Sequence, residues 1–261
     1  MRVVIKVGTS SLTYSNGCIN IRSFEGLCKI ISDIKNSGVE VILVSSGAIG
    51  MGVGKLHLPS RPSDIAGKQA CAAVGQCELM YTYDKLFSDY NHTVAQILLT
   101  APDLTNDERC GKFIDTTKRL LEMSVLPIIN ENDTVATEEI VFGDNDTLAA
   151  QVAVALSADL LVLLSDIDGL YDKDPHKYED AHLINEVWTI SKQVEALAGD
   201  AGSNLGTGGM QTKIKAAKIV TDRGCDMVIA NSCEPECLYD IIEGKPHGTR
   251  FFANNKNVGG V

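Results

Sequence analysis

VEVILVSS, residues 39 to 46, decides the fold. From Val41 to Val44 apolar residues follow one another without alternation, so a strand here would be dry on both faces. Such a strand belongs in a parallel sheet covered by helices. The pattern returns in VVIKV (3 to 7), TVAQILLT (93 to 100), VLPIIN (125 to 130), DLLVLLS (159 to 165) and DMVIAN (226 to 231). Helical spacing fills the intervals. Residues 21 to 37 stop at Gly38 and residues 210 to 223 at Gly224, each a glycine suited to ending a helix. Residues 64 to 90 read as a long helix weakened at Gly67 and Gly75, and 110 to 124 and 144 to 157 as two more. This alternation predicts an α/β protein, a three-layer α/β/α sandwich around a mostly parallel central sheet, in one continuous domain.

At 261 residues the chain has ample length for a buried core. Its 23 basic and 34 acidic side chains leave a net charge of −11, which argues against a broad nucleic-acid surface. Any anion it binds must be met by a few local cations. The eight cysteines are scattered without C-x-x-C spacing, so they read as reduced, mostly buried thiols. The N-terminal MRVVIKVGTSS lacks the apolar core of a signal peptide, and no run approaches the roughly 18 apolar residues of a membrane span. These features predict a cytoplasmic protein with no membrane partner.

In a parallel α/β sheet, ligands gather where strands end. Lys6 interrupts the apolar strand VVIKV, and a lysine is almost never buried without a partner. Gly8 to Ser11 follow that strand, and Ser46 and Gly47 follow the next. Gly50, Gly52 and Gly54 come after them, small residues that would let backbone amides face a ligand. The segment from Glu131 to Asp146 holds six carboxylates. Its NEND and GDND runs offer donors and acceptors suited to a substrate carrying an ammonium group. Asp166 sits at the exit of the fifth strand. The acids after it fail as an EF-hand, because the twelfth position is Lys177. GTGGMQTK (206 to 213) opens a helix as a phosphate-binding turn would, but it fits neither the P-loop nor the G-x-G-x-x-G pattern.

IKVGTSSL, VSSGAIGMG, INENDTVA followed by GDNDTLAA, LLSDIDGLYDKDP and GTGGMQTK, in that order, resemble the amino acid kinase family and within it the glutamate 5-kinase group. The resemblance runs from Arg2 to about Phe252. It implies transfer of the γ-phosphoryl of ATP to the side-chain carboxylate of L-glutamate, the first step of proline biosynthesis. Lys6 and Lys213 would flank the transferring group, with Asp146 holding both lysines. Ser46, Asp133, Asp144 and Asn145 would bind the acceptor. Gly8 and Gly47 would supply amides to phosphoryl oxygens, and Ser165 and Asp166 would contact the nucleotide. Thr207, Gly208, Gly209, Met210, Gln211, Thr212 and Lys213 would wrap its phosphates.

Mg²⁺ would arrive on the ATP phosphates, with no dedicated protein ligands. Residues up to about 155 would form the acceptor lobe and those from about 156 the nucleotide lobe. The resemblance also implies a homo-oligomer, dimer or tetramer, and suggests residues 54 to 65 for control by proline. Many members of the group continue into a PUA domain, which is expected to be absent here. The competing readings are a related kinase acting on N-acetylglutamate and a catalytically silent regulator that binds nucleotide or amino acid.

Overall fold

The computed structural model describes residues 1–14, 17–136, 144–175, 177–200 and 209–254. The chain packs as two compact units, Val7–Phe142 and Met1–Lys6 together with Gly143–Val261. The first six residues join the later unit. The first strand, β1 (Arg2–Val7), explains that exchange. The amide of Asp159 donates to the Arg2 carbonyl at 2.9 Å, and the Arg2 amide donates to Asp159 Oδ2 at 2.7 Å.

In the Val7–Phe142 unit, β2 (Glu40–Ser45), β3 (Val94–Leu99) and β4 (Leu126–Glu131) lie in the order β3-β4-β2. All pairings are parallel, with Leu43 opposite Ile128 and Leu99 opposite Glu131. β4 is buried along its whole length, as an apolar run between covered faces requires. The helices are α1 (Thr9–Leu12), α2 (Ile21–Asn36), α3 (Ala48–Lys55), α4 (Ile65–Ser88), α5 (Ala101–Thr105) and α6 (Asp107–Glu122). Side chains of Asn20, Asp64 and Asn106 accept from the first-turn amides of α2, α4 and α6. Gly38 takes φ 93° just past α2, the left-handed conformation expected at a helix end.

Within GAIGMGVG, Gly52 and Gly54 are packing residues. The stretch after Gly47 forms α3, which lies directly on α4. A Cβ on Gly52 would overlap the carbonyl of Cys71, and one on Gly75 would overlap the carbonyl oxygen of Ala48. Gly54 meets Gly17 equally closely. Gly75, which weakens α4 by helix propensity, is thus required by the approach of two backbones.

In the other unit β1 neighbours β5 (Leu160–Ser165), followed by β7 (Asp226–Asn231), β8 (Thr249–Phe251) and β6 (Glu186–Val187). β5 and β7 are parallel in register from Leu160 opposite Asp226 to Ser165 opposite Asn231. β8 runs antiparallel to β7 and parallel to β6. The helices are α7 (Asn145–Ala155), α8 (Lys192–Asp200), α9 (Met210–Thr221) and α10 (Cys237–Ile242). The mostly parallel α/β architecture expected from the sequence is therefore present in both units. All eight cysteines are free thiols, four of them buried. No described helix is long and apolar enough to cross a membrane.

Candidate active site

Lys6 is the next-to-last residue of β1 and Lys213 closes the first turn of α9, and one carboxylate joins them. Lys6 Nζ lies 2.7 Å from Asp146 Oδ1, while Lys213 Nζ lies 3.1 Å from Asp146 Oδ2. Asp146 is wholly buried, and the lysines are 9% and 4% exposed. Thr212 Oγ1 also donates to Asp146 Oδ2, at 3.0 Å. Burial alone would push the Asp146 carboxyl up, but the two ammonium groups more than offset that and hold it below the usual carboxylate range. Each oxygen serves one lysine, so two cations that would repel each other are fixed side by side with a net charge of +1.

Asp146 occupies the first turn of α7, and Asp144 caps that helix by accepting from the Thr147 amide at 2.7 Å. Burial raises the Asp144 carboxyl, and the neighbouring Asp146 charge adds to that rise. The helix fixes the geometry: a short capped turn places Asp144, Asn145 and Asp146 at one point of the unit. At the start of α9, Gly209 is the N-cap and no side chain caps it. Met210, Gln211, Thr212 and Lys213 make the first turn. Thr207 and Gly208 lie outside the described residues.

Ser165 ends β5, and its hydroxyl donates to Asp166 Oδ1 at 3.1 Å. Asp168, two residues on, was not singled out from the sequence. It accepts from Asn231 Nδ2 at 2.7 Å and from the Tyr171 hydroxyl at 2.9 Å. Those hydrogen bonds hold its carboxyl below the usual range. The register of β5 with β7 was the missing signal, since it brings Asn231 level with Ser165. Lys215 is exposed and Lys218 is ion-paired with Glu195 at 2.6 Å.

The Val7–Phe142 unit contains a cleft of about 270 Å³ whose lining includes Ala48, Gln76, Glu131, Asn132, Asp133 and Thr134. Asp133 is therefore at a cavity wall, and burial raises its carboxyl, with the Arg61 charge acting against that rise. Ser46 follows β2, its amide donating to the Val7 carbonyl at 3.1 Å, two residues before the lining residue Ala48. Gly8 is the N-cap of α1. Gly47 starts α3 at φ 110°, a conformation that strongly favours glycine, and no side chain caps that helix. Neither of those glycines is a lining residue of the cleft. Glu131 and Gln76 were missed as site residues. Glu131 read as one acid of a loop but ends the buried strand β4, at 7% exposure.

Among the described residues no cluster of three or more His, Cys, Asp or Glu is arranged to hold a metal ion. Asp146 is engaged by two lysines and a threonine, which leaves it poorly suited to coordinate one.

Glutamate 5-kinase of Clostridium perfringens is 52% identical to this chain over 256 residues, 97% of this chain and 95% of that protein. Glutamate 5-kinase of Carboxydothermus hydrogenoformans is 51% identical over 256 residues, covering 98% of this chain and 68% of the relative. Among solved structures, carbamate kinase from Giardia lamblia bound to AMP-PNP superposes with a TM-score of 0.69 at 16% identity, covering 96% of this chain and 98% of that one. An isopentenyl phosphate kinase of T. acidophilum, solved as a product complex, gives 0.65 at 18% identity over 96% and 100% of the two chains. At such identities the structural likeness speaks for the fold. The pattern of the amino acid kinase family matches residues 1–231 and the Clostridium perfringens relative matches nearly end to end, so the chain belongs to the amino acid kinase family.

Proposed function

We propose that this protein is an ATP-dependent glutamate 5-kinase: it transfers the γ-phosphoryl of ATP to the side-chain carboxylate of L-glutamate, giving L-glutamyl 5-phosphate and ADP. The observation that carries the reading is the buried Lys6–Asp146–Lys213 arrangement, two cations held on one carboxylate. The names of the half-identical relatives support the choice of acceptor.

The chemistry suits these residues. A glutamate side chain has an unperturbed pKa of about 4.3, so near neutral pH it is already a nucleophile and no general base is required. Its oxygen bonds to the γ-phosphorus as the bond to the β,γ-bridging oxygen breaks, and the electron pair leaves on ADP. No proton has to move. The obstacle is the repulsion between two anions and the charge developing on the transferring group. Lys6 and Lys213 would meet that charge without rearranging, since Asp146 holds both ammonium groups in advance.

The uncapped start of α9, at Gly209 to Lys213, would present amides to the nucleotide phosphates. Gly8 and Gly47 would contribute further amides. Mg²⁺ would enter as part of the substrate MgATP, supplying charge neutralisation on the phosphates. Ser165 and Asp166 would contact the nucleotide, and Ser46, Asp133, Asp144 and Asn145 the acceptor. In this reading residues up to about 155 serve mainly the acceptor and those from about 156 mainly the nucleotide. The enzyme would work in the cytoplasm as a homo-oligomer and supply the first step of proline biosynthesis.

The test is ATP turnover with Mg²⁺ in the presence of L-glutamate, N-acetyl-L-glutamate, L-aspartate or no acceptor, with hydroxylamine trapping any acyl phosphate. Hydroxamate formed with L-glutamate alone is the expected result. Reaction with a different acceptor would overturn the choice of glutamate.

A further inference from the structure

A chain of hydrogen bonds fixes the orientation of one amide beside the cleft. The backbone N–H of Glu131 can only donate, and it donates to Asn130 Oδ1 at 2.9 Å. Asn130 must therefore turn its NH₂ group the other way, and Asn130 Nδ2 donates to Gln76 Oε1 at 2.9 Å. That leaves the Gln76 NH₂ group as the free end. Gln76 is 8% exposed, it lines the cleft, and its Nε2 has no hydrogen-bond partner among the described residues. A buried donor left unpaired is unfavourable, so a ligand oxygen that accepts from it binds with particular advantage.

From this geometry we infer that Gln76 Nε2 donates to the α-carboxylate of the amino-acid acceptor and so helps select for it. The inference rests on the reading of the protein as a glutamate kinase. Asp133 lines the same cleft and offers a carboxylate to an ammonium group. An amino acid carries its ammonium and α-carboxylate on one carbon, so a cleft built for it needs an anionic group and a neutral donor within a few ångströms. The reacting side-chain carboxylate has a different requirement, since it must meet cations. The cleft volume of about 270 Å³ is at the small end for ligand sites, as a metabolite of amino-acid size requires.

The test compares L-glutamate with 4-aminobutanoate, which keeps an ammonium and a carboxylate but lacks the α-carboxylate. Gln76→Glu keeps the volume and an oxygen for Asn130, but replaces the free donor with an acceptor. Its KM for L-glutamate should rise roughly 10- to 100-fold. KM for ATP should hold within about twofold, and the preference for L-glutamate over 4-aminobutanoate should shrink at least tenfold, in proportion to the lost contact. Gln76→Met should likewise raise KM for L-glutamate and shrink the preference over 4-aminobutanoate, with KM for ATP again held.

A donor satisfied only by water predicts unchanged KM and unchanged preference, and that result overturns the proposal. Should neither variant fold, the wild-type protein labelled with ¹⁵N at glutamine side chains supplies the answer. The Gln76 NH₂ protons, identified by cross-peaks to the Asn130 side chain, move downfield on adding L-glutamate if the proposal holds; unmoved signals overturn it. Wild-type turnover is the control in every arm. Its absence with L-glutamate overturns the functional reading and the proposal with it, whereas normal turnover beside unmoved variants overturns the proposal alone.

Discussion

Asp146 Oδ1 stands 2.7 Å from Lys6 Nζ with the carboxylate wholly out of solvent. Lys213 takes the other oxygen, so the three charges form one unit and none can be altered alone. Removing the carboxylate leaves two nearly buried cations facing each other. Asp146→Asn should cost on the order of 3 kcal/mol of stability, read from urea unfolding. It should also lower kcat about 100- to 1000-fold. An intact kcat would exclude Asp146 from positioning the lysines.

Lys6→Ala and Lys213→Ala should each lower kcat by about the same 100- to 1000-fold in protein that still folds, because each lysine would stabilise charge on the transferring group. The double variant should lose much less than the product of the two effects, since both lysines act on one transition state. Near-normal turnover in either single variant would remove that lysine from the mechanism.

The Asp146 carboxyl titrates below its ordinary range because of its two lysines. Its stabilising contribution is therefore present above the unfolded value of about 3.9 and is lost as the pH falls through the lower folded value. Unfolding measured between about pH 5 and pH 2 should show a steep loss of stability in the wild type, and Asp146→Asn should flatten the lower part of that curve.

Asp133 is shifted the other way, since burial raises its carboxyl. It must be ionised to hold an ammonium group, so acceptor binding should weaken on acidification before an ordinary carboxylate would begin to protonate. KM for L-glutamate followed from pH 8 downward should rise with a midpoint above about 3.9. Asp133→Asn should raise KM at neutral pH and remove that dependence.

Gly75→Ala would drive a methyl group into the Ala48 carbonyl and Gly52→Ala would drive one into that of Cys71. Each should cost about 1–3 kcal/mol by forcing α3 and α4 apart, despite alanine's better helix propensity. A rise in Tm for either substitution would contradict the packing described.

β1, β2, β4, β5 and β7 were legible because burial on both faces leaves an unalternated apolar run, as in Val41 to Val44. Lys6 was legible as a misfit within such a run, and Gly38 and Gly224 as helix ends, both with positive φ. The short strands at Glu186–Val187 and Thr249–Phe251 were not, since two or three residues carry no periodicity. α3 was hidden by its glycines, which argue against a helix locally; Gly52 is explained by α4 lying across it and Gly54 by the approach of Gly17. Gln76 was invisible for a related reason. A glutamine in a helix ordinarily faces water, and what buries it here is a strand residue, Asn130, 54 positions further along the chain. The partnership of Asp146 with both lysines came from family resemblance, because no local pattern links positions 6, 146 and 213.

The glycine contact between α3 and α4 also bears on how this protein could change. Ala48 and Gln76 line the same cleft, one on each helix, and Gly75 meets the Ala48 backbone with no side chain between them. The spacing of those walls is set by main chain against main chain, which has no rotamers to give way. A methyl group added there resizes the cavity without touching anything inside it. Variant libraries seeking a new acceptor therefore have two starting points, the residues that face the substrate and the hidden glycines that decide how far apart they stand.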